Sequence, residues 1–243
     1  MADNDNNAPD FKELRKRYLD LTKEKVKESV SKDLMIINAI NNIEELEKSI
    51  NVLAGRLREW FSLQNPELER AIDDNEEFIN IAVKSEPQDS KMGAKFDEDD
   101  ENAIKALAAS GYGLIQTKTF LLLYLEKTMK ELCPNVLALS GPTIGARLLR
   151  EAGSLKRLAS LQSSTVQLLG AEKALFRHIK TGARPPKYGH IINHPVIINA
   201  KKSDKGKASR ALADKISIAA RLDYFKGEFK GESLLEELKK KFN

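Results

Sequence analysis

The cationic side chains after residue 160 are the ones whose types and spacing could do chemistry. Read as a helix at 100° per residue, positions 207 to 225 place Ala208, Leu212, Ile216 and Ala219 on one side and Lys207, Arg210, Asp214 and Arg221 on nearly the opposite side. Arg210 and Arg221 are then about 16 Å apart along the axis, a span that reaches two or three phosphates of one nucleic-acid strand. A second run, Lys173, Arg177 and Lys180, recurs at spacings of four and three, with Arg184 and Lys187 flanking it in a Pro-Pro loop. The chemistry these residues support is charge-assisted bonding to phosphate oxygens; the bland alternative is an ordinary solvated helix face.

Other chemistry is poorly represented. His178, His190 and His194 have no metal-ligand spacing with carboxylates, and neither Cys133 nor any serine lies in an activated-nucleophile motif. The segment Gly113 to Thr119 contains a lysine at Lys118 but lacks the second glycine of a phosphate-binding loop and falls inside a helical seam. Glu172 falls among Leu168, Leu175, Phe176 and Ile179 on the apolar side of its helix, so it is expected to pair with an arginine in a structural salt bridge. The sequence thus predicts no catalytic residue, no metal and no cofactor.

The elements that must position these cations are helices. Of the 243 residues 31% are charged and only 6% aromatic, which predicts an all-α fold. Charge is unevenly distributed: residues 1–132 hold 19 Lys+Arg against 27 Asp+Glu, and residues 133–243 hold 21 against 9. Polyanions are drawn to the second half and repelled by the first. No run of eighteen apolar residues occurs and the N-terminus is polar and acidic, so a soluble intracellular protein without a membrane partner is expected. The single Cys133 cannot form an internal disulfide and reads as a small apolar filler.

Met1 to Pro9 reads as disordered, and Phe11 to Ser31 as a charged helix. Ile36, Ile40, Ile43, Leu46, Ile50, Leu53, Leu57 and Trp60 then recur at threes and fours, as do Ile104, Leu107, Gly111, Leu114, Lys118, Leu121, Leu125, Met129 and Leu132. Ser85 to Asp100, with Pro87, Gly93 and an acidic run, suits an exposed loop between the two seams. The expectation is a long antiparallel coiled-coil arm, whose thin core favours pairing with a second copy as a homodimer. After Pro134 shorter helices predict a compact domain: one helix opens at Ser163 or Ser164 and ends at Gly182, a short hairpin lies around His190 to Ile198, and helix resumes near Gly206. The expected division is a charged N-terminal remnant at 1–32, the arm at 33–133 and a helical domain at 134–243.

The stretch GPTIGARLLREAGSLKRLASLQSSTVQLLGAEKALFRHIKTGARPPKYGHI, followed by GKASRALADKISIAARLDYF, resembles the Nop domain, with GAEKALFRH its most telling part. INVLAGRLREWFSLQNPELE looks like the coiled coil of the same family, so the resemblance covers roughly residues 33 to 243. It points to the archaeal Nop scaffold of box C/D guide-RNA particles, related to eukaryotic nucleolar Nop proteins and a spliceosomal Nop-domain factor. Such scaffolds grip a kink-turn RNA already bound by a small ribosomal-protein-like partner, and their coiled coil dimerises. Their N-terminal domain recruits the fibrillarin methyltransferase that performs ribose 2′-O-methylation; here that segment is reduced to about 32 residues, on which any expectation for fibrillarin rests.

Carried over by position, the resemblance implies RNA contact at Lys207, Arg210, Arg221 and the loop around Lys187. It also implies RNA or partner contact from Gln162, Ser163 and Gln167, and from the GAEK helix with Lys173 and Arg177. Relatives often carry Pro-Ala where this chain has Gln162-Ser163. The implied location is the cytoplasm of an archaeal cell, or the nucleolus or nucleus of a eukaryotic one. The competing function is a coiled-coil adaptor or short Nop paralogue that binds protein or RNA without forming a methylation particle.

Overall fold

The computed structural model describes residues 11–84 and 92–242. The disorder expected for Met1 to Pro9, and residues 85–91 of the expected loop, lie outside them. Among the described residues the fold is all-α, with no strand. A charged helix, α1 (Phe11–Ser29), leads into α2 (Lys32–Gln64), the short α3 (Pro66–Ala71), α4 (Asn75–Lys84) and α5 (Glu98–Leu132).

Helices α2 and α5 run antiparallel: Lys32 pairs with Glu131 at one end, while at the other Gln64 bonds Glu101 at 3.4 Å and the Ala94 amide donates to the Leu63 carbonyl at 2.8 Å. The buried line of α2 is Ile36, Ala39, Ile40, Ile43, Ile50, Ala54, Leu57 and Phe61; of the expected seam, Leu46 is half-buried, Leu53 is half-buried and packed against the outer core, and Trp60 is not buried. A helix at 3.6 residues per turn drifts away from a strict 3.5 repeat, so the inner face slides one residue along and leaves Trp60 38% exposed. Gly111 lets α5, α2 and α4 meet: a Cβ there would sit 2.8 Å from Leu53 Cδ2 and 3.2 Å from Ile79. The acidic run expected in an exposed loop instead opens α5, where Asp97 accepts from the Asp100 amide at 2.9 Å and four carboxylates face the positive end of the helix.

Arg58 closes the corner where α2 gives way to α3 and α4. Its guanidinium donates to the carbonyls of Glu69, Ile72, Asp73 and Asp74 at 3.1, 2.6, 3.2 and 3.3 Å and lies 4.3 Å from the Phe78 ring centre. One side chain thereby satisfies the loose backbone of residues 69 to 74, where helical bonding stops.

The rest of the chain is α6 (Pro134–Ala152), α7 (Leu155–Ser160), α8 (Ser163–Leu168), α9 (Glu172–Thr181), a 3-10 turn (His190–Asn193), α10 (Pro195–Asn199), α11 (Lys205–Tyr224) and α12 (Gly231–Phe242). Gly141, at φ +74°, bends α6 just ahead of Pro142. The long α11 is the axle, burying Ala208, Leu212, Ala213, Ile216, Ala219 and Ala220 against α6, α7, α8 and α12. Asp223 near its end reaches back to cap α6, accepting from the Asn135 and Val136 amides at 3.0 and 2.9 Å and from Asn135 Nδ2 at 2.8 Å. Burial pushes the Asp223 carboxyl up, against the opposing pull of those N–H donors. Cys133 is buried beside it; desolvation, with the Asp223 and Asp33 carboxylates, pushes its thiol well up, in keeping with an inert filler.

Two apolar cores result. One joins Ile50, Leu57, Phe61, Phe78, Ile79, Ile104 and Ile115 in the outer arm. The other unites the base of the arm, Ile36, Ile40, Ile43, Leu125 and Met129, with the domain after Pro134. The hairpin expected around His190 to Ile198 is instead the 3-10 turn and α10. Pro195 suits the first turn of α10, and His194 Nδ1 accepts from the Val196 amide at 3.3 Å while Nε2 donates to the Leu139 carbonyl at 2.9 Å. Burial lowers the His194 pKa, so the neutral ring this bonding needs is the favoured one.

Candidate nucleic-acid and partner interface

The helix expected from Ser163 to Gly182 is two helices, broken at Gly170 with φ +88°. The break creates the site. Behind α8, the 183–189 strap is pinned down: Gln167 Nε2 donates to the Lys187 carbonyl, and the Gly189 and His190 amides donate to the Gln167 and Leu169 carbonyls, all at 2.8 Å. The strap, α8 and the start of α11 enclose an open groove lined by Ser164, Gln167, Leu168, Pro186, Lys187, Tyr188, Lys202, Ser203, Gly206 and Arg210.

Lys187, Lys202 and Arg210 are exposed, and among the described residues no carboxylate lies within ion-pair distance of any of them. Three cations around hydroxyl and amide groups form a concavity suited to a phosphodiester backbone. Lys202, Ser203, Ser164 and Tyr188 were not read from the sequence as site residues. Lys201, Lys202 and Ser203 lie in a turn, where helical periodicity carries no information, and the only available signal was the density of lysine in the stretch from Lys201 to Lys207.

Of the expected site residues, Gln167, Lys187 and Arg210 share this groove. Lys207 sits three residues before Arg210 on α11, exposed and 3.3 Å from Asp204. Gln162 is exposed at the start of α8, its carbonyl accepting from Thr165 and Val166, and Ser163 is half-buried in the first turn. Arg221 stands apart. Its Nε donates to the Ala159 carbonyl at 3.1 Å, beside Ile218, Leu222 and Phe225. Between it and Arg210, Ser217 is buried and bonds the Leu161 carbonyl at 3.3 Å, so α7 and its exit interrupt the stripe that the helical wheel drew as continuous.

Lys173 and Arg177 lie on α9, which buries none of its residues. They and Lys180 form one exposed edge, and on the adjoining edge Phe176 and Ile179 are 69% and 70% exposed. The expected salt bridge of Glu172 is replaced by a local contact: Oε1 accepts from the Gly170 amide at 2.8 Å. The break at Gly170 puts Glu172 at a helix start, where a carboxylate finds free N–H groups and needs no arginine. Among the described residues no cluster of His, Cys, Asp or Glu is arranged to hold a metal, and no helix is long and apolar enough to cross a membrane.

Comparison with known proteins agrees with this architecture. The Nop family model, described as "snoRNA binding domain, fibrillarin", matches residues 42–91 and 80–243. A NOP5 family protein of Methanocaldococcus jannaschii is 37% identical over 262 residues, covering 97% of this chain and 63% of the relative. Nucleolar protein 58 of Candida albicans is 38% identical over 229 residues, covering 84% of this chain and 44% of the relative. The chain therefore spans less than two thirds of either. The crystal structure of a fibrillarin/Nop5p complex is similar with a TM-score of 0.58 and 25% identity, over 99% of this chain and 86% of that one.

Proposed function

Because the chain belongs to the Nop family, we propose that it is a noncatalytic scaffold that binds kink-turn RNA together with that RNA's small ribosomal-protein-like partner, in a box C/D-type particle guiding ribose 2′-O-methylation. The observation that carries this reading is the adjacency of two unlike surfaces. On one side of Gly170 lies the groove with Lys187, Lys202 and Arg210; on the other stands α9 with Phe176 and Ile179 in solvent. A phosphate backbone suits the first and an apolar protein surface the second, so a target presenting both at once fills both. Selection then comes from the shape of the bent RNA and its bound protein, since phosphate contacts carry no sequence information.

The arm, 33–133, acts in this proposal as a spacer and dimer element, and 134–243 as the grip. Val52, Leu63, Phe120 and Leu123 are 58–69% exposed along the outside of the arm, apolar surface that pairing with a second arm would cover. The structural relative was crystallised with fibrillarin, which supports fibrillarin as a further partner of the particle proposed here. In a eukaryotic cell such a particle is nucleolar; in an archaeal cell it is cytoplasmic. An electrophoretic shift with kink-turn RNA, its binding protein, or both tests the reading. A ternary complex tighter than either binary one is expected; binding indifferent to the second component would favour the adaptor.

A further inference from the structure

Helix α9 is held almost wholly by its ends. It buries no residue, so its direction depends on its two ends: Gly182 and the pinned strap on one side, and on the other the joint at Gly170 and Ala171, where the Ala171 amide donates to the Leu168 carbonyl at 2.9 Å. The His190 ring lies directly against Gly170: a Cβ at that glycine would sit 2.4 Å from Cδ2 and Nε2 of the imidazole, too close to be accommodated. His190 is held from behind. Its Nε2 meets Glu151 Oε1 at 3.1 Å, and the same oxygen accepts from Arg150 Nε and Nη2 at 3.1 and 2.9 Å. Arg150 also reaches across to Glu44 of the arm, whose other carboxylate oxygen accepts from Arg147 Nε at 2.8 Å. All five side chains are 19–26% exposed, and each of the four bridging contacts spans two charged or titratable partners.

We infer that Glu44, Arg150, Glu151 and His190 form a strut that sets the angle of α9 to the arm, with His190 as a positioning residue that touches no ligand itself. An unsupported ten-residue helix swivels about a left-handed glycine unless something fills the space beside it. Here that filler is an imidazole, and its footing is traced by half-buried, charge-assisted bonds to a helix of the arm more than 100 residues earlier in the chain. The consequence for binding rests on the function proposed above: a groove and a ridge that must meet one rigid target are useful only at a fixed relative angle, and in a dimer that angle is referred to the arm.

The strut is tested by electron–electron distance measurement between nitroxides at Asn41→Cys on α2 and Lys180→Cys on α9, diluted with unlabelled chain to remove distances between copies. Both positions are exposed, whereas Cys133 is buried away from the label. A single narrow distance is expected for the parent pair, and a broadened or divided distribution for His190→Ala and for Glu44→Gln. His190→Gln, which keeps an N–H for Glu151, should restore the narrow one. Unchanged distributions in both His190→Ala and Glu44→Gln would overturn the strut; Glu44→Gln keeps side-chain shape and guards against simple loss of fold. In parallel, His190→Ala should weaken the ternary complex about tenfold with RNA binding in the absence of the partner protein unchanged, and an undiminished ternary affinity would remove the strut's role in binding. If the parent chain forms no ternary complex while the distances still respond, the functional reading fails and the strut stands.

Discussion

Helices α9 and α11 look alike in sequence, each with a cationic edge beside an apolar one, and the fold treats them in opposite ways. Every apolar residue singled out on α11, namely Ala208, Leu212, Ile216 and Ala219, is buried, whereas Phe176 and Ile179 of α9 stand in solvent. Amphipathicity therefore states that a helix has something to cover and leaves open what covers it. In α11 the cover is the protein's own α6, α7, α8 and α12. In α9, in the function proposed, it is supplied from outside.

The widest gap between the two helices should be in stability. Ile216→Ala, at a fully buried position, is expected to cost about 2–5 kcal/mol in chemical denaturation, and Ile179→Ala to stay within about 0.5 kcal/mol of the parent. Equal losses would mean that α9 is packed after all. Binding should reverse the order of importance. Phe176→Ala is expected to weaken the ternary complex by about 1.4–2.8 kcal/mol, roughly ten- to a hundredfold, as for a buried aromatic anchor, while its effect on RNA alone is small. Titration with and without the partner protein separates the two, and a loss confined to RNA alone would assign α9 to the wrong component.

The contrast also shows what was legible beforehand. Threes and fours in the apolar positions were sufficient for α2, α5 and α11, because long helices declare their period. The break at Gly170 was not legible: glycine within a helical pattern is usually tolerated, and what reserves this position for glycine, φ +88° and the His190 ring where a Cβ would lie, comes from the fold and from twenty residues further on. Once the helix divides, Glu172 folds back onto the Gly170 amide and the apolar edge of α9 loses the neighbours that a continuous helix would have kept. Arg58 and Asp223 were silent for the same reason, since the amides and carbonyls they serve are 11 to 88 residues away. Of the site, Gln167, Lys187 and Arg210 were found in one groove, while Lys202 and Ser203, in a turn, had no periodicity to announce them.

Acid should act on the footing of α9 before it acts on α11. Burial would raise the Glu44 carboxyl, but its bonds and attraction to Arg150 and Arg147 hold it below its ordinary value. Burial also opposes the Glu151 shift, and His190 and Arg150 outweigh it in the same direction. A carboxyl whose folded pKa is depressed contributes stability above its unfolded pKa, ordinarily near 4.5 for Glu44 and Glu151, and loses that contribution as pH falls through the folded value. Stability measured across this window should fall in the parent chain, and more gently in Glu44→Gln. Asp223 works against the trend. Its pKa is raised, so its contribution grows on acidification between its unfolded and folded values, and Asp223→Asn should steepen the acid limb. Parallel limbs in all three proteins would show that these carboxyls are not differently held in the folded and unfolded states.

The smallest effect discriminates between two arginines on one face of α11. The helical wheel makes Arg210 and Arg221 equivalent, but Arg210 lines the groove and Arg221 is bonded to the Ala159 carbonyl beyond the interruption at Ser217. If affinity comes from phosphates seated in the groove, Arg210→Ala should lower the slope of log affinity against log salt by about one unit. Arg221→Ala should change it less, because its side chain lies outside the groove and is tied through Nε to the Ala159 carbonyl. Circular dichroism should be indistinguishable for Arg210→Ala and the parent, while Arg221→Ala should show a modest loss of melting temperature from the unsatisfied Ala159 carbonyl. Equal slope changes in the two variants would mean that the RNA path continues over α7, and the groove would then be one part of a longer track instead of its centre.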